Sequence, residues 1–180
     1  MRLLTYEGYN LTIDPMALTL KPFKTIWTRD KSVKKDKAIQ EISYIYFMED
    51  PRSDYQYIVD REERDKQIRE GEGIKTTWRP DSVVKEAIQL YASFKTPSAL
   101  LLEDTRIAVD KLRQLLRDID LNALDDKGKP IYTLNTITST IKQIPGLIKD
   151  LDEAERALAK EIAQSDKVRG AQEKSIYEDI

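Results

Sequence analysis

The sequence has no cysteine and no histidine. Without cysteine there is no disulfide framework, no thiolate metal site and no thiol nucleophile. Without histidine the commonest general base and metal ligand is missing, so Ser-His and Cys-His machinery cannot be assembled within the chain. Its six glycines are scattered, Gly71 and Gly73 being the closest pair. Neither a phosphate-binding P-loop nor a dinucleotide fingerprint can therefore be written onto it. No apolar run approaches the roughly 20 residues of a membrane span, and residues 1–7 lack the apolar core of a secretory signal. Nothing predicts a membrane partner. The formal charge of −2 gives no overall field that would draw the protein onto nucleic acid.

What chemistry remains is carboxylate, lysine and tyrosine chemistry. Two acidic clusters, Asp60-Arg61-Glu62-Glu63 and Asp150-Leu151-Asp152-Glu153, could pair carboxylates for acid/base work or hold Mg²⁺. Their lysine and arginine neighbours favour a solvated helix face instead. The expectation is a protein that is not an enzyme, with no catalytic, cofactor or metal site.

Length and pattern predict one mainly α-helical domain of 180 residues with extended ends. Residues 1–30 read as an N-terminal arm. Within them Leu11-Thr12-Ile13 reads as extended, and Pro22 breaks or restarts any helix. The helical domain is expected over 31–164. Ala38, Ile42, Ile45 and Glu49 make one stripe over 34–48, with Ser32 as a candidate N-cap and Asp50-Pro51 as the stop. A charged helix over 59–70, with Glu62/Lys66 and Asp65/Arg69 at i,i+4, ends at Gly71 and Gly73. Asp81 starts a third helix carrying Val84, Ala87, Ile88 and Tyr91.

Beyond Thr96-Pro97 the spacing predicts a long antiparallel hairpin over 98–164, capped by Ser98 and turned at residues 125–130. Its first seam is Leu101, Thr105, Ala108, Leu112, Leu115 and Ile119. The second is Ile137, Ile141, Ile144, Ile148, Leu151, Glu155, Leu158 and Ile162. Pro145-Gly146 predicts a bend in the second helix. Leu100, Leu102, Val109, Leu116 and Leu147 fall off these seams and need cover from the rest of the chain or from other copies. Residues 165–180 read as a flexible C-terminal tail.

Three features stand out as contact candidates. Arg29, Lys31, Lys34, Lys35 and Lys37 lie in the most basic stretch, which suits an acidic protein surface, a solvated helix start or, less well, DNA phosphates. Tyr44, Tyr46 and Phe47, with Tyr55 beyond, form an aromatic cluster that reads as core first and interface second. Glu155 interrupts an apolar seam, marking either the end of internal packing or a cation supplied by a partner.

The stretch Arg29-Asp30-Lys31-Ser32, Lys37-Ala38, Glu41, Tyr44-Ile45-Tyr46-Phe47-Met48 and Asp50-Pro51-Arg52-Ser53-Asp54-Tyr55 resembles a segment of virion structural proteins of large tailed bacteriophages, the crAss-like group in particular. The likeness spans residues 20–70 and carries no active site. It implies a small helical subunit made in the bacterial host cytoplasm and built into the virion as a homo-oligomeric ring at the portal vertex. Neighbouring portal, neck or tail proteins would be its partners, and DNA would lie nearby. The basic stretch and Tyr44 to Tyr55 would then meet a neighbouring ring, and the hairpins would pack side by side. A soluble adaptor or assembly chaperone and a DNA-binding accessory protein are the alternatives.

Overall fold

The computed structural model describes the backbone of residues 3–177 and side chains as far as residue 164. It is mainly helical and divides into two compact units, Met1–Lys95 and Thr96–Ile180.

The first unit begins with a two-stranded antiparallel hairpin, β1 (Leu4–Glu7) and β2 (Asn10–Ile13), in register Leu4 to Ile13 and Glu7 to Asn10. Its two-residue turn needs positive φ at both positions, and Gly8 and Tyr9 supply it at +56° and +65°. Leu3 and Leu4 are buried, and Tyr6 packs edge-on to Phe47 with ring centroids 4.9 Å apart. The segment read as an arm is thus packed into the unit. A helical turn at Ala17–Thr19 leads into α1 (Lys21–Arg29), where Pro22 occupies the first turn, a place that costs no helical hydrogen bond.

Helix α2 (Asp36–Glu49) forms the axis of this unit, with α1, α3 (Arg61–Gly71) and α4 (Ser82–Ala92) all packed against it. The stripe Ala38, Ile42, Ile45 and Glu49 is buried as its spacing predicts. So are Tyr44, Tyr46, Phe47 and Met48, which carry the apolar surface round the whole C-terminal half of the helix. A helix apolar on all sides is stable only when enclosed. α3 and α4 start where the sequence places them, because Asp60 and Asp81 accept hydrogen bonds from the amides of Glu63 and Val84. Val84, Ala87 and Tyr91 face the core. α3 is largely exposed, with Arg64 and Ile68 its buried residues.

The second unit is the predicted hairpin, α5 (Pro97–Asp118) and α6 (Leu134–Tyr177). Its cap is Thr96, whose hydroxyl accepts from the Ala99 amide, and not Ser98, since Pro97 already occupies the first helical position. α6 runs unbroken through Pro145. Its backbone is helical into the stretch read as a tail; the side chains from 165 onward and residues 178–180 lie outside the described residues.

Part of the predicted seam has to be corrected. The covered row on α5 is Ala99 and Leu102, packed on Ala154 and Leu158 of α6 with Leu151 and Ile162 beside them. Leu101 and Leu115 are 57% and 45% exposed, and Ile141 and Ile148 are 52% and 49% exposed. α5 carries apolar rows one residue apart, about 100° round the helix. Periodicity fixes those rows relative to one another but not which of them meets α6.

Replacing Ile45, fully buried on α2, by alanine is expected to destabilise the protein by about 2–5 kcal/mol in urea unfolding. Leu121→Ala, at an exposed position, should stay within about 0.5 kcal/mol of the parent.

Candidate interaction surface

The needs of the two ends of α2 explain most of the charged residues around it. Lys35 precedes the helix in the left-handed conformation, φ 58°, and its side chain does not cap. The cap comes from Asp30, at the end of α1. One oxygen accepts the Ser32 amide at 2.8 Å and the other the Ala38 amide in the first turn of α2 at 3.0 Å. These bonds favour the charged carboxylate and hold its pKa down at about 2. Asp30 therefore does the work expected of Ser32, from eight residues away.

At the other end, the last carbonyls of α2 are met by residues that follow it. Ser53 Oγ donates to Phe47 O at 3.0 Å, Gln56 Nε2 to Met48 O at 3.1 Å, and Arg64 Nη1 to Met48 O at 2.9 Å. A buried cation is well placed there, at the negative end of the helix dipole. Asp50 grips Arg52 through two hydrogen bonds of 2.8 and 2.6 Å and accepts a third, at 2.5 Å, from Tyr91 Oη of α4. Arg52 also donates to Leu4 O at 3.0 Å, which ties β1 to the same cluster. Glu49 is fully buried between Arg61, which hydrogen-bonds it, and Lys95, whose Nζ lies 2.8 Å from Oε2 but off the line of a hydrogen bond.

These networks sort the interface candidates. Arg29 forks between the buried Glu41 and the exposed Asp81, both at 2.5 Å, and so joins α1 to α2 and the start of α4. Lys35 donates to Asp30 O and, at 3.3 Å, to Trp27 O, with its ammonium 5.8 Å from the Trp27 ring centroid. Both are structural residues of the first unit. Tyr44, Tyr46 and Phe47 are core, so the unit does not present them to a partner. Burial, and then the bond donated to Asp65 at 2.6 Å, raises the Tyr44 pKa. Tyr55 is half-buried and donates to Glu72 at 2.9 Å. Glu155 takes its cation from within the hairpin, Arg106 at 2.9 Å. Of the ten candidates, only Lys31, Lys34 and Lys37 project freely.

Those three lysines belong to one loop and helix start, held from below by Asp30 and Lys35. Between them stands Val33, 100% exposed. A fixed loop that shows cations around an uncovered apolar side chain suits an anionic surface with an apolar spot. The residues that sequence reasoning missed are Asp30, Asp50 and Arg64. Asp30 reads as stray negative charge in a basic run, and Asp50 as a simple stop. The available signal for Arg64 was its i,i+4 spacing to Ile68, the lone aliphatic residue of that helix.

A shallow, open groove of about 210 Å³ runs beside α2, lined by Asp36, Gln40, Ser43, Tyr44 and Glu72 among others. It is smaller than the usual small-molecule site. Among the described residues, no three acidic, histidine or cysteine side chains converge as a metal site would require. No described helix is long and apolar enough to cross a membrane.

Asp30 gives a pH prediction. Its folded pKa, about 2, lies below the unfolded value of about 3.9, so its contribution is complete above the unfolded value and is lost as pH falls through the folded one. Asp30→Asn should lower the urea midpoint at pH 6 and flatten its decline between pH 5 and 2. A residual slope should remain from Asp65 and Asp81. Burial alone would raise both; hydrogen bonds from Arg69 and Tyr44 to the first, and from the Val84 amide and Arg29 to the second, hold them below the ordinary value. No protein-family model, no curated protein and no solved structure is similar to this chain at a significant level.

Proposed function

We propose that this chain is a non-enzymatic structural subunit that assembles with copies of itself, and that it works as a ring-forming connector in the neck of a tailed bacteriophage, between head and tail. The observation that carries self-assembly is the state of the hairpin. Leu101 and Leu115 on α5, and Leu134, Ile141 and Ile148 on α6, stand at multiples of seven residues and are about half exposed or more. Helices that repeat apolar side chains at this interval associate through them. Exposed rows of this kind mark contact surfaces more often than tolerated defects.

The place in the virion rests on the sequence likeness over residues 20–70. Several residues that carry the likeness, Asp30, Glu41, Asp50, Arg52 and Ser53, hold α2 in position. What the likeness tracks is therefore a way of building the first unit. On this reading the exposed Lys31, Lys34 and Lys37 face a neighbouring portal, neck or tail protein.

Light scattering on the purified protein should give a mass several times that of one chain, and mass spectrometry of purified virions should find the protein in stoichiometric amount. A monomer at every concentration would overturn self-assembly. Absence from virions that contain their portal would favour an assembly chaperone or adaptor instead.

A second reading is favoured by the lysine loop alone, a DNA-binding accessory protein. It predicts affinity that falls steeply with salt and drops further in Lys31→Glu/Lys34→Glu/Lys37→Glu. Unchanged DNA affinity in that variant would eliminate it.

A further inference from the structure

We infer that the outer edge of α5 on one copy docks along the outer edge of α6 on the next, in a head-to-tail contact set by matched charges. This rests on the self-assembly reading and assigns the surfaces that carry it. Opposite its seam with α6, α5 presents Asp104, Lys111 and Asp118 in one line at seven-residue steps, all exposed. Leu101, Ala108 and Leu115 run alongside that line. Opposite its seam with α5, α6 presents Lys142, Lys149 and Arg156 in a line of the same spacing, also exposed. Gly146, where an added Cβ would meet nothing within 4 Å, lies on one flank of it, and the exposed Ile141 and Ile148 lie on the other.

The levels of the two lines follow from the hairpin itself. The helices are antiparallel, and the 2.9 Å pair Arg106 to Glu155 sets their register. Asp104 then stands about level with Arg156, Lys111 with Lys149, and Asp118 with Lys142. In one hairpin these residues point away from each other. In two hairpins laid side by side in the same direction, the α5 edge of one meets the α6 edge of the other at unchanged levels. Asp104 is opposed by Arg156 and Asp118 by Lys142. At the middle level Lys111 faces Lys149, whose own Glu153, 3.5 Å from it, supplies the anion. Leu115 comes over Gly146, a large side chain against a small one, as close helix packing requires.

The occupant is a second copy because each edge complements the other and not itself. Two α6 edges would oppose Lys142 and Arg156 to like charges, with Lys149 answered by its own Glu153. A contact between unlike surfaces of identical chains leaves one of each free at the ends, so it continues until it closes into a ring or extends as a filament.

Two variants test this, Asp104→Arg/Asp118→Arg on the first edge and Lys142→Glu/Arg156→Glu on the second, with thermal melts followed by circular dichroism to check that each folds. Alone, each opposes like charge to like charge and is expected to run as a monomer in light scattering where the parent assembles. Mixed in equal amounts, the variants restore opposite charges at every contact and should reassemble with alternating composition. Assembly of either variant alone at the parent's mass, or failure of the mixture to assemble, would overturn this contact while leaving self-assembly standing. A parent that is itself monomeric would remove both.

Discussion

The enclosure of α2 is the constraint on which the first unit depends. The C-terminal half of α2 carries apolar side chains on all sides and has to be surrounded, so its last carbonyls, and at the other end the Ala38 amide, are cut off from the water that would otherwise satisfy them. The protein meets that demand with side chains from outside the helix. Asp30 serves the first turn, and Ser53, Gln56 and Arg64 serve the last. Asp50, the first residue beyond the helix, gathers Arg52 and Tyr91, and Arg52 reaches the strand at Leu4. The polar network is thus the consequence of burying most of one helix.

That requirement accounts for an otherwise odd feature of the composition, the many charged residues inside a small core. Glu41, Glu49, Asp50 and Arg64 are buried, and each is partnered. An unpaired buried charge is far more costly than an unpaired surface one, so removing one partner from such a cluster does more harm than losing an exposed ion pair. The basic stretch ahead of α2 is divided by the same demand. Arg29 and Lys35 are drawn inward to satisfy Glu41, Asp81 and two carbonyls. Lys31, Lys34 and Lys37, with nothing buried to serve, are left on the surface.

The second unit is built on the opposite principle. Two helices can cover only one stripe of each other, and here that stripe is narrow, four buried residues with alanines at Ala99 and Ala154. Close approach through small residues leaves larger apolar side chains on the flanks, where Leu101, Leu115, Ile141 and Ile148 remain uncovered. The first unit buries most of its apolar surface in one core and the second keeps whole rows of it uncovered, which gives the proposed assembly role a physical basis within the chain.

Much of the fold was legible in the sequence because the signals are local. Pro22, Asp81 and Asp50 mark helix ends by what they do to the backbone within a few residues, and the stripe Ala38, Ile42, Ile45, Glu49 identifies a buried face by spacing alone. The hairpin was legible for the same reason. Less of the candidate site could be read. Whether Arg29 or Lys31 faces a partner depends on the distant carboxylates Glu41 and Asp81, and the capping of α2 depends on a side chain eight residues upstream. Nothing in local spacing encodes such pairings. Nor could periodicity choose among adjacent rows of α5, since rows 100° apart satisfy the same repeat until α6 is laid against one of them. The sequence alone determined that the chain is mainly helical, where several of the helices start and stop, and that it has neither thiol nor imidazole. Tertiary structure decided which charges are spent inside and which apolar rows stay outside, because both are settled only when distant segments compete for the same buried surface.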